Sequence, residues 1–239
     1  MKYQLGGKIV NTELTQKKLF RNKIIFKIII LAVLAVCVNR IRLFYVENAV
    51  EQGNIAYEQG NYDMAIPNYT LAINLMYQKS SNLLWRGRAH YGKNDFDMAI
   101  ADFTKGIELS PNDTAHYLWR GRTYQKKREY DKAILDFTEA IRLDKVRGSR
   151  TYFYFTERGD VYFAKGNYDL ALLDYKQAVE VIDNMISVYS QKGWDSEDLY
   201  QKRDEIAAEI NYVERRKNNV PSATEEDVLN ALLNLFGGN

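Results

Sequence analysis

The sequence predicts an all-α fold, a solenoid of stacked helix pairs, and three observations carry that prediction. Four segments align without a gap: GNIAYEQGNYDMAIPNYTLAINL, GRAHYGKNDFDMAIADFTKGIEL, GRTYQKKREYDKAILDFTEAIRL and GDVYFAKGNYDLALLDYKQAVEV. Apolar residues recur in them at helical spacing, as Ala65, Tyr69, Ala72 and Ile73 do at i, i+4, i+7 and i+8. A turn such as Gln59-Gly60-Asn61-Tyr62 or Lys165-Gly166-Asn167-Tyr168 divides each copy in two, with glycine able to take the positive φ that ends a helix. No single copy can bury its apolar face alone, so the copies must stack.

In chain order, the first element is a basic N-terminal segment, residues 1–23. Residues 1–42 hold nine basic side chains and one acid, whereas the whole chain of 239 residues carries only +2. Such balance excludes a uniformly basic nucleic-acid binder, and no nucleic-acid partner is expected. Next comes Ile24 to Val38, an apolar run interrupted only by Lys27. Alone it covers about 22 Å against about 30 Å of hydrocarbon. Snorkelling Lys27, Arg40 and Arg42, with Ile41, Leu43, Phe44 and Tyr45 extending the apolar surface, make residues 24–45 long enough for one membrane-spanning helix or signal anchor. Cations cluster on its N-terminal side, so the N-terminus is expected in the cytoplasm and the rest in a periplasm or lumen. Two alternatives stay open: a cleaved signal sequence, and a lipoprotein attached at Cys37, since Leu34-Ala35-Val36-Cys37 approaches a lipobox with Val36 out of place.

The repeats occupy 46–183, as copies at about 46–79, 80–113, 114–147 and 152–185. Gly53, Gly87, Gly121 and Gly159 recur at intervals of 34, 34 and 38, and so do Tyr62/Phe96/Tyr130/Tyr168, Ala65/Ala99/Ala133/Ala171 and Tyr69/Phe103/Phe137/Tyr175. Small residues in both helices allow close approach, and an aromatic ring fills the space beside them. Residues 184–219 supply a capping helix, with Asp195 or Ser196 as N-cap and a stripe of Leu199, Ile206, Ile210 and Val213. Residues 220–239 read as a linker and a short amphipathic helix, Ser222 and Glu225 forming a capping box.

Period, helix-turn-helix form and small/aromatic columns closely resemble the tetratricopeptide repeat family. That resemblance implies a right-handed superhelix whose first helices line a concave, peptide-binding groove. Some residues stand apart from the family pattern: Gln52 replaces a large apolar residue, Arg86, Arg120 and Arg158 occupy the same step, and Pro67 lies early in a second helix, where it is expected to bend the first repeat.

No catalytic constellation is present in the sequence, and no enzyme activity, cofactor or metal is expected. His90 reads as a packing residue, His116 as a surface residue at a helix start, and Asp95-Phe96-Asp97 as a turn and cap rather than a metal pair. By resemblance, Trp85, Arg88, Tyr91, Trp119, Arg122, Lys126 and Tyr57 point into the groove. Trp and Arg there suit a protein or peptide carrying acidic and apolar groups. The family's two-carboxylate clamp for chaperone tails is disfavoured, because only Asn54 and Arg122 match it while Trp85 and Trp119 take steps it needs polar or basic. The expected protein is a membrane-tethered, non-catalytic scaffold. A fixed subunit of a larger membrane complex or a homo-oligomer, with the tail docking on a neighbour, is the alternative.

Overall fold

The computed structural model describes residues 2–5, 8–75, 77, 79–144 and 151–219, with side chains from Lys17 onward. The tail expected over 220–239 lies outside the described residues. Two compact units divide the chain, Met1–Gln78 and Lys79–Asn239.

The first unit opens with two short strands, β1 (Lys2–Leu5) and β2 (Lys8–Asn11), paired antiparallel with Tyr3 opposite Val10 and Gln4 opposite Ile9. The all-α expectation is corrected to this extent: β-branched Ile9 and Val10 favour a strand within the basic segment. α1 then runs unbroken from Thr12 to Glu58, so the boundaries expected at 23/24 and 45/46 both fall inside one helix. It is long and apolar enough to cross a membrane. Cys37 is exposed on it. α2 (Tyr62–Asn74) starts at Asn61, whose side chain accepts a hydrogen bond from the Met64 N–H, and continues through Pro67. Its buried residues are the stripe Ala65, Tyr69, Ala72 and Ile73.

The second unit carries helix pairs α3/α4 (Lys79–Gly92, Phe96–Leu109), α5/α6 (Thr114–Lys126, Tyr130–Asp144) and α7/α8 (Thr151–Ala164, Tyr168–Lys192), then α9 (Glu197–Asn218). Each helix packs on the next along the chain. Between 144 and 151 the four extra residues of the third copy lie outside the described residues. α8 extends to Lys192, past the boundary expected at 183/184, because the apolar spacing Ala178, Ile182, Ile186 continues to bury against α9. It ends at Gly193, φ 66°, a left-handed cap. Ser196 is the N-cap of α9, and the Asp195 carboxylate accepts from the Glu197 N–H at 3.0 Å. Ile206 and Val213 are buried, with Leu199 and Ile210 packed beside them.

Close approach within each pair has one cause. A Cβ added at Gly53, Gly87, Gly121 or Gly159 would come within 3.0, 2.6, 2.9 or 2.8 Å of the ring of Tyr69, Phe103, Phe137 or Tyr175. Glycine leaves the room that lets each ring close against the neighbouring helix.

Candidate functional site

The first helices of the second unit, α3, α5 and α7, bring their aromatic and guanidinium groups into one ladder. Trp85 and Arg88 are three residues apart and share a face of α3. The Arg88 guanidinium carbon sits 4.1 Å from the centre of the Trp85 ring and 4.6 Å from that of Trp119 on α5. Arg122, one turn along from Trp119, lies 5.1 Å from the same indole and 5.2 Å from the ring of Phe153 on α7. Tyr91 meets Trp119 edge-on at 5.6 Å. At these separations each cation gains from the ring quadrupole, and partial desolvation strengthens the attraction.

Glu157 closes the far end. Arg122 donates to it twice, Nε at 3.0 Å and Nη2 at 2.5 Å. Although burial works against the cation, the Glu157 hydrogen bonds and charge hold Arg122 above its usual range. Burial raises the Tyr91 phenol, partly offset by the Arg122 charge. Of the seven groove residues expected from the sequence, Trp85, Arg88, Tyr91, Trp119 and Arg122 come together here. Lys126 is exposed on the last turn of α5. Tyr57 belongs to the first unit, its ring 5.6 Å from that of Tyr62.

Behind the ladder a second series of ion pairs fixes the helices that carry it. Arg86, Arg120 and Arg158 each make a two-pronged contact with an aspartate sixteen residues on: Asp102 (2.8 and 2.6 Å), Asp136 (2.9 and 2.7 Å) and Asp174 (2.8 and 2.8 Å). Arg120 also donates to Thr104 at 3.1 Å and Arg158 to Thr138 at 2.8 Å, linking each copy to the preceding one. These arginines therefore replace the apolar residue of the family pattern with a planar fork that ties first helix to second. Sequence reasoning missed the aspartates. The signal was present, because where Gln52 replaces Arg in the first copy, Asn68 replaces Asp at the same spacing of sixteen.

His116 is corrected: it is fully buried, not at the surface. Gly106 on α4 makes room for the ring, since a Cβ there would lie 2.1 Å from its Cε1. Ser80 Oγ is 3.0 Å from Nε2, and burial lowers the His116 pKa. His90 is buried near Asp95 (3.6 Å), and Asp97 pairs with Lys127 at 2.5 Å. Among the described residues, no cluster of three or more His, Cys, Asp or Glu side chains is placed to hold a metal ion.

Models of the tetratricopeptide repeat family match residues 81–113 and 120–183. These matches support the tetratricopeptide repeat family. Two solved structures of MamA proteins agree on the fold. A MamA protein is 19% identical, with a TM-score of 0.51 over 75% of this chain and 97% of its own. MamA 41-end from Desulfovibrio magneticus RS-1 is 13% identical, with a TM-score of 0.51 over 73% and 98%. The TPR2B domain of yeast Sti1, solved as a pHsp70 complex, is 22% identical with a TM-score of 0.48, covering 51% of this chain and 98% of its own. No curated protein matches the sequence.

Proposed function

We propose that this tetratricopeptide repeat protein is a membrane-tethered, non-catalytic scaffold that holds a protein or peptide partner against α3, α5 and α7. The observation that carries the reading is the ladder itself. Partly exposed Trp, Tyr and Arg side chains from successive first helices form a continuous surface, held rigid from behind by the Arg–Asp forks. Such residues contribute most where they are preorganised, since little side-chain entropy is then lost on binding.

Arg88 and Lys126 direct charge at acidic groups of the partner, and the indole edges of Trp85 and Trp119 meet its apolar side chains. Arg122, bonded to Glu157, positions Trp119 rather than meeting the partner itself. The anchor is residues 24–45, with the N-terminus in the cytoplasm and the repeats on the opposite side, the orientation favoured by the cations at Lys17, Lys18, Arg21, Lys23 and Lys27.

Crosslinking in native membranes tests this reading. Arg88→Glu, alone and combined with Arg122→Glu, should abolish capture of the partner while helix content by circular dichroism stays constant. The single variant is the cleaner one, because Glu at 122 would face Glu157. Undiminished crosslinking by both variants would remove the groove from the account.

A further inference from the structure

Among the described side chains of α1, every one from Lys17 to Tyr45 is exposed. Within it, the apolar span 24–45 covers about 33 Å as helix, against about 30 Å of hydrocarbon. Burial then begins within a single step: Tyr45 is 61% exposed and Val46 is 1%. No linker intervenes, because α1 continues to Glu58 and its Val46, Ala49 and Ala56 are already core.

A collar marks the transition. Arg40 can extend to phosphate oxygens, and exposed Phe44 and Tyr45, ring centroids 5.9 Å apart and edge-to-face, are residues that favour the membrane–water boundary. α2 returns antiparallel along α1. The Tyr69 hydroxyl donates to Asn54 at 2.9 Å, and at the far end Arg42 Nη2 donates to the Leu75 carbonyl. This last contact brings the end of α2 down to the level of the collar. Gln59, at the opposite end of the pair, is about 21 Å further along the helix axis.

We propose that this end of the first repeat rests directly on phospholipid headgroups. Arg40, Phe44, Tyr45 and the end of α2 at Asn74 and Leu75 lie in the interface, and the helix pair continues the span without a hinge. The inference rests on the membrane-anchored reading above and adds a second interaction surface to it. A bilayer is the occupant because exposed length, flanking cations and the aromatic pair all match its dimensions and chemistry; none of these features selects a protein.

Depth measurements with nitroxide labels test it. The full chain carrying Cys37→Ser would be reconstituted in phosphatidylcholine–phosphatidylglycerol vesicles, with single cysteines at Leu34→Cys, Asn74→Cys or Gln59→Cys. Accessibility to oxygen and to a water-soluble nickel chelate gives each label's depth. The expected result is lipid-like oxygen access at 34, water-like nickel access at 59, and a several-fold lower nickel access at 74 than at 59, placing 74 at headgroup depth. A water-like signal at 34 would overturn the anchor and the inference together. Lipid at 34 with equal nickel access at 74 and 59 would overturn the inference alone, since the repeat would then stand off the bilayer. Loss of access to both reagents at 74 would also overturn it, by showing a second copy over the collar.

Discussion

At the scale of single residues, the stack depends on contacts that leave no room for a methyl group. Gly87→Ala would place a Cβ 2.6 Å from Phe103 Cε1. Denaturant unfolding should show a loss of about 1–3 kcal/mol, with part restored by Phe103→Leu. The Arg–Asp forks follow a different rule. Burial raises the Asp136 carboxyl more than its bonds and charge with Arg120 lower it, while the same bonds hold Arg120 above its usual range despite burial. Removing one partner still leaves a buried cation short of its acceptor. Asp136→Ala should therefore cost about 1.5–3 kcal/mol, whereas Arg120→Gln with Asp136→Asn, the combination already present as Gln52 and Asn68, should recover most of that loss in a double-mutant cycle. His116 gives a pH signature. Its folded pKa lies below the ordinary 6.5, so at lower pH the unfolded chain binds the proton first. Stability from this residue is complete above pH 6.5 and declines as pH falls below it. His116→Gln should flatten unfolding free energy against pH in that window, and an unchanged slope would assign the effect elsewhere.

At the scale of elements, turn chemistry and helix continuity decide where each pair begins and ends. The interhelical turns place Gly60 (φ 71°), Asn94 (φ 64°), Arg128 (φ 61°) and Gly166 (φ 83°) in one column. Arg128 bears the Cβ penalty that its glycine counterparts avoid, about 1–2 kcal/mol for the left-handed conformation, partly offset by the chain entropy glycine loses. Arg128→Gly should raise the unfolding free energy by up to about 1 kcal/mol in thermal or denaturant melts. Helix pairing was legible in the sequence because four copies repeat the same small and aromatic columns. Boundaries were less so. Nothing local stops α1 at 45 or α8 at 183: both continue because each next turn still finds apolar surface to cover, Val46 and Ala49 against α2, Ile182 and Ile186 against α9. The burial of His116 was hidden for a related reason. Its helix start looks exposed in isolation, and the space for the ring comes from Gly106 in the preceding helix.

For the molecule as a whole, the candidate site was legible in residue type and only partly in partnership. Repetition of Trp85-x-x-Arg88 as Trp119-x-x-Arg122 placed both pairs on one surface. What the sequence did not disclose is that Arg122 is bonded to Glu157, thirty-five positions on. The second helices carry exposed apolar groups of their own, Leu135 and Leu173 among them, which makes the choice of face the central claim. Site-specific photocrosslinking in native membranes addresses it most directly, with benzoylphenylalanine placed singly at Trp85, Lys126, Leu135 and Leu173. The account predicts that one partner is joined through positions 85 and 126 and that 135 and 173 yield none of it. Crosslinks to that partner through 135 or 173, with 85 and 126 silent, would contradict it.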